Sequence, residues 1–200
     1  NNRVHQFADT NFQTVAQVIG SGIGGPFDLE LGPDGNLFLG CRDTSDVRRW
    51  NGPTNAAPFA GLTSFADLSP GRPLGIAFGP DGNLYVADSD DSGVVKRFNG
   101  TTGTVIDEFI DDAANFDEGF DLDFGPDGNL YISDLVNSNI VRYQGPSAGS
   151  PGAFIDTFVS AGGSLTKPAG IKFGHDGDLY VCSSGTNHVL RYQGPGDATP

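Results

Sequence analysis

The chain has 200 residues, 30 of them glycine and 13 proline, with 37% hydrophobic residues and no methionine. That length holds one sizeable core, and its apolar residues come in bursts far shorter than the roughly 20-residue run of a membrane helix. Its 25 acidic and 11 basic residues leave a net charge of −14, which repels phosphate backbones and anionic lipid and argues against nucleic acid and membrane insertion.

In chain order, residues 2–7 (NRVHQF) and 14–19 (TVAQVI) read as two short strands. A longer unit follows at 27–63, beginning FDLEL, then a GPDG turn, then NLFLG. The next, at 74–111, is the clearest. GIAF at 75–78 is an apolar strand, and GPDG at 79–82 is a tight turn in which proline presets φ and glycine supplies a positive one. NLYVAD at 83–88, VVKRF at 94–98 and TVIDEFI at 104–110 complete four strands. A third unit spans 120–160. A last one, 169–193, supplies three strands and ends in HVLRYQ. The turn glycines Gly35, Gly82, Gly128 and Gly177 are spaced by 47, 46 and 49 residues, and self-similarity at that period marks a repeat architecture. Residues 1–22 match only the third and fourth strands of the unit.

The expected fold is all-β: a single β-propeller over 1–200, with four-stranded antiparallel blades, about four of them, plus out-of-phase terminal strands. The N-terminal fourth-type strand is available to complete the last blade. At the shared inner position Leu29, Ile76, Leu122 and Ile171 should be deeply buried, on period-two alternation.

The units G-I-A-F-G-P-D-G-N-L-Y-V-A-D, followed by a V-x-R-[FY] strand, resemble NHL-type repeats of the six-bladed-propeller-like superfamily. The resemblance covers 27–193 strongly and 1–22 in part. It implies a binding platform in most relatives and a metal-dependent lyase in a minority.

Three sets of residues bear on chemistry. On the first strands, Asp28 and Glu30 alternate with Gly75 and Ala77, then Asp121 and Asp123 with Gly170 and Lys172. If these strands line the axis, Asp28, Glu30, Asp121 and Asp123 converge there. Oxygen ligands of that kind suit Ca²⁺, and the alternative is a wet acidic channel. In the loop DSDDSG, the side chains of Asp88, Asp90 and Ser92 alternate as at the start of a calcium loop, without its closing Glu. Neither site makes a cofactor certain; Ca²⁺ is the candidate. The turn acids Asp34, Asp81, Asp127 and Asp176 read as hairpin chemistry.

Arg49, Arg97, Arg142 and Arg191, each before an aromatic, are expected to pair with Asp88 or Asp134 or to stack on a ring. Cys41 and Cys182 are expected to be free thiols. Asn99-Gly100-Thr101 is an N-glycosylation sequon on a turn. His5, His175 and His188 have no metal-site spacing, and no nucleophile or phosphate-loop motif is present. No catalytic residue is therefore named, and the chain is expected not to be an enzyme. With its first residue Asn1 and no initiator Met, it is expected to be a processed, secreted or cell-surface chain.

The expected function is a non-catalytic extracellular scaffold that binds a protein or glycan partner. One alternative is a structural protomer that self-associates through unpaired terminal strands; the other is a metal-dependent lyase or hydrolase.

Overall fold

The computed structural model describes residues 4–7, 15–19, 23–53, 57 and 60–196. Residues 2, 3 and 14, read above into the terminal strands, lie outside that set. The chain is all-β, a β-propeller of antiparallel blades. β1 (Val4–Phe7) and β2 (Val15–Ile19) form a two-stranded sheet. Blade 1 is β3 (Pro26–Leu31), β4 (Leu37–Cys41), β5 (Asp46–Trp50) and β6 (Thr63–Asp67). Blade 2 is β7 (Pro73–Phe78), β8 (Leu84–Asp88), β9 (Val94–Phe98) and β10 (Val105–Asp111). Blade 3 is β11 (Gly119–Phe124), β12 (Leu130–Asp134), β13 (Asn139–Tyr143) and β14 (Phe154–Val159). Blade 4 is the three-stranded sheet β15 (Pro168–Phe173), β16 (Leu179–Ser183) and β17 (His188–Tyr192). The terminal fourth-type strand does not complete this last blade: β2 pairs with β1. Among the described residues no helix is long and apolar enough to cross a membrane.

The blades repeat because their turns do. In each GPDG or GHDG turn the fourth residue is glycine at positive φ, +76° at Gly82, where a Cβ would be strained. The turn aspartate accepts the backbone N–H two residues on, 2.9 Å from Asn36 to Asp34 and 3.2 Å from Asn83 to Asp81. The hairpin reading of these acids holds, with an addition. Tyr85, Tyr131 and Tyr180 donate their hydroxyls to Asp81, Asp127 and Asp176, so the last three turns are each tied to their own second strand, whereas Phe38 stands there in blade 1.

The core lies between blades. Phe38, Val47 and Ala66 of blade 1 pack on Ile76, Leu84, Val86 and Phe98 of blade 2. Tyr85, Ala87, Val95 and Phe109 of blade 2 pack on Leu122, Leu130, Ile132 and Tyr143 of blade 3. Tyr131 and Ile140 of blade 3 pack on Ile171, Leu179 and Val181 of blade 4. One aromatic unit recurs. Tyr85 meets Phe109 of its own blade at 4.9 Å and Phe124 of the next at 5.0 Å, both edge-on. Phe38 and Tyr131 do the same in their blades. Such pairs add specificity to area burial.

Three of the four inner apolar residues are buried as expected, and Leu29 is not: it is 43% exposed. The alternation was read correctly, but β1 and β2 match only the third and fourth strands of a blade. Only Val4 among their described side chains joins the cluster of Ile23, Leu37, Leu39, Cys41 and Trp50, and among the described residues no inner strand of the β3 kind covers Leu29. The opposite end is similar: Val189 is 70% exposed, whereas Val95 at the same place in blade 2 is fully buried.

The arginine expectation is corrected in part. The rings are there: Arg49, Arg97 and Arg142 lie 5.1–5.4 Å from Phe65, Phe109 and Phe158. The ion-pair partners are not Asp88 or Asp134. Arg97 pairs with Asp107 and Asp81, and Arg142 with Asp156 and Asp127, because on neighbouring strands these acids stand beside the arginine (Arg97 opposite Asp107, Arg142 opposite Asp156). Asp88 instead takes Lys96 at 2.7 Å. Cys41 is a buried free thiol and Cys182 an exposed one.

Candidate functional site

The inner strands β3, β7, β11 and β15 pack in sequence around the axis. Each carries a register shift just before its inner apolar residue, between Pro26 and Leu29, Pro73 and Ile76, Gly119 and Asp121, and Pro168 and Ile171. A bulge bends the strand and re-aims the side chain beside it. The residues so placed are Asp28, Gly75, Asp121 and Gly170.

Two aspartates serve all four bulge amides. Asp28 accepts the N–H of Leu29 at 2.7 Å and, one blade on, that of Ile76 at 2.8 Å. Asp121 accepts those of Leu122 at 2.8 Å and Ile171 at 2.7 Å. The acid–glycine alternation thus has a geometric cause. A carboxylate in one blade reaches into the next, and the next has no need of its own. At Gly75 the reason is also steric, since a Cβ there would stand 2.5 Å from Asp121 Cα.

Below this pair lies a second layer. Lys172 donates to Asp123 at 3.0 Å and approaches Glu30 at 3.8 Å, and Asp123 also accepts the N–H of Phe173 at 2.8 Å. The structure therefore brings Asp28 and Asp121 together with Glu30, Asp123 and Lys172.

The electrostatics follow from burial. Desolvation raises the Asp28 carboxyl despite its two amide donors and the field of Lys172. Desolvation, then the charge of Asp28, pushes Asp121 up to about 7. Glu30 is raised by burial too, with Lys172 opposing. Burial works against the Lys172 ammonium, but Asp123 and Glu30 outweigh it and raise that group. Like charge in a low dielectric raises the cost of ionising both members of such a pair.

Above the pair is a pocket of about 230 Å³ lined by Phe27, Asp28, Phe120, Asp121 and Gly170. The Phe27 and Phe120 rings meet edge to face at 4.8 Å. Sequence reasoning named the acids and missed these rings. Their signal was present: each immediately precedes an axial aspartate, whereas Leu74 and Ala169 stand there in the other blades.

The second candidate loop does not converge. Asp88 accepts from Arg72 N–H and Lys96, Asp90 faces Arg72 at 3.3 Å, and Ser92 donates to Asp117 at 2.7 Å. Asn99 sits on its turn, with its side-chain oxygen taken by the N–H groups of Thr101 and Thr102. Among the described residues no three His, Cys, Asp or Glu side chains are grouped to hold a metal ion.

No family model matches the chain, and no curated protein matches it. Solved structures do. It is similar to virginiamycin B lyase from Staphylococcus aureus at TM-score 0.65 and 15% identity, over 97% of this chain and 64% of that one. Similarity to a gluconolactonase from Xanthomonas campestris has TM-score 0.66 and 19% identity, over 88% of this chain and 60% of that one. A luciferin-regenerating enzyme matches at TM-score 0.70 and 16% identity, over 98% and 72%. The chain spans less than two thirds of the lyase and the lactonase, and identities this low show the fold alone. What these neighbours share with the chain is the β-propeller fold. They are enzymes, and on that finding the expectations of a non-catalytic scaffold and of no enzyme are corrected.

Proposed function

We propose that the axial pocket is the acid–base centre of a lyase or hydrolase, on a propeller whose units are of the NHL type. The observation that carries this reading is Asp121: a half-buried carboxyl raised to about 7, on the wall of an open pocket. A group that exchanges its proton near neutral pH can take one from carbon beside a carbonyl, as elimination needs, or from an attacking water, as hydrolysis needs. Desolvation first, and then the neighbouring Asp28, raise this group. Phe27 and Phe120 supply an apolar wall that orients a substrate and sheds water.

The metal dependence of the original alternative has less support from this geometry. The four oxygens of Asp28 and Asp121 each accept a main-chain N–H, and Asp123 takes Lys172 and Phe173. The donors as placed do not fit a metal centre, and no step is routed through one.

The test is a panel of lactones, esters and β-substituted carbonyl compounds, assayed across pH with and without chelator. Turnover should show an ascending limb near pH 7. Asp121→Asn should lower kcat/KM by about 10²–10⁴-fold and abolish that limb. Asp28→Asn, which removes a like charge, should shift the limb to lower pH while retaining turnover. A limb that stays in place in both variants, or turnover lost only on chelation, would sink the reading.

A further inference from the structure

The two layers of axial charge differ in how they are balanced. The lower one is paired, with Lys172 between Asp123 and Glu30. The upper one is not: among the described residues neither Asp28 nor Asp121 has an ion pair within 4.0 Å. Lys172, whose field reaches both, has its ammonium on the other two acids. Buried carboxylates without a counter-charge are costly. These two line an open pocket rather than a sealed core.

The other walls are as informative. Two phenylalanine rings, in edge-to-face contact, line the pocket together with the carboxylates. The fifth wall is Gly170, where a Cβ would come no nearer than 3.7 Å to Asp121 Oδ2. Steric crowding does not demand that glycine, unlike Gly75. What its missing side chain leaves is room beside a carboxylate. At about 230 Å³ the space is below the roughly 300–1,000 Å³ of pockets that engulf drug-sized ligands. It fits a head group.

Aromatic rings plus negative charge in a small, partly desolvated space recognise an organic cation, through ring quadrupole and carboxylate together. A bare divalent ion would gain nothing from the rings, and a neutral group nothing from the charges. We propose that the axial pocket binds a small organic cation, an alkylated or primary ammonium group, as the recognised part of its substrate. This rests on the axial pocket being the functional site and adds the substrate class. It also links binding to the proposed chemistry, because an ammonium beside the pair holds Asp121 in its ionised, basic form.

The probes are choline and its neutral isostere 3,3-dimethylbutanol, followed by calorimetric titration and thermal melting at constant ionic strength. Choline should bind saturably and raise the melting temperature, and the alcohol should do neither. Affinity should be higher at pH 8 than at pH 5.5, since Asp121, raised to about 7, loses its proton in that interval while Lys172 stays charged. Asp121→Asn should abolish binding.

Because that change touches two bulge amides, two gentler variants accompany it. Phe120→Leu keeps an apolar wall without a ring and should weaken choline about fivefold. Gly170→Val fills the pocket and should weaken it at least as much. Equal binding of the alcohol, stabilisation by CaCl₂ but not choline, or unchanged affinity in Phe120→Leu and Gly170→Val would overturn the proposal. Binding is read without turnover, so choline bound by a chain inactive on the whole substrate panel removes the catalytic reading and leaves this one.

Discussion

The acids at the rim and the acids at the axis come from one composition and behave in opposite ways. At the rim every blade repeats the same arrangement, a turn aspartate held by its tyrosine or asparagine and shared with an arginine on a ring, as in Asp127, Tyr131 and Arg142. Those charges are balanced and half in water. At the axis the arrangement changes from blade to blade, and Asp28 and Asp121 are half-buried and, among the described residues, have no ion pair. What repeats holds the blades together; what departs from the repeat is where chemistry is free to develop.

That contrast can be broken in several ways. The largest expected effect is the activity loss of Asp121→Asn given above; a rim acid such as Asp127→Asn should leave kcat/KM within about twofold. Next comes the core at one repeat position. Leu122→Ala should cost about 2–5 kcal/mol, whereas Leu29→Ala, at 43% exposure, should cost under about 1 kcal/mol, both from chemical denaturation. Equal losses would mean that Leu29 is covered in solution.

Smaller still is the rim itself. Arg142→Ala removes a partly exposed pair with Asp156, a bond from the guanidinium to Tyr131 and a ring contact. It should cost about 1–2 kcal/mol and lessen with salt. A comparable effect is that of pH on the whole. Asp28, Glu30 and Asp121 have folded values above their ordinary ones, so between about pH 4 and 7 the folded chain holds more protons than the unfolded. Stability should therefore fall as pH rises through that window. Calorimetry should find a higher melting temperature at pH 5.5 than at pH 8; the reverse order would show the axial acids to be ordinary.

Most of the fold was legible because its causes are local. A PDGN turn needs only its own four residues, and alternation along a strand names its faces, so blades and turns could be placed from the sequence. Leu29 escaped because its burial depends on an inner strand beside it, which no property of Leu29 encodes. Arg97 escaped because its partner Asp107 lies across the strand pair, where register decides. At the axis the alternation of Asp28 and Asp121 was visible and its cause was not: the bulge that turns them inward, and the amides of Ile76 and Ile171 that receive them, exist only between blades. The aromatic pair was hidden for the same reason, since Phe27 and Phe120 are neighbours only in space.

The inter-blade aspartate bonds also set a clock for synthesis. Asp28 waits 48 residues for the amide of Ile76, and Asp121 waits 50 for that of Ile171. At roughly 5–20 residues per second on a ribosome, each wait is about 2–10 seconds. Until the next inner strand arrives, blade 1 or blade 3 carries a carboxylate with one amide instead of two and an apolar face still wet. Growth is therefore in steps of one blade, each sealing the one before it, with the newest face always the exposed one.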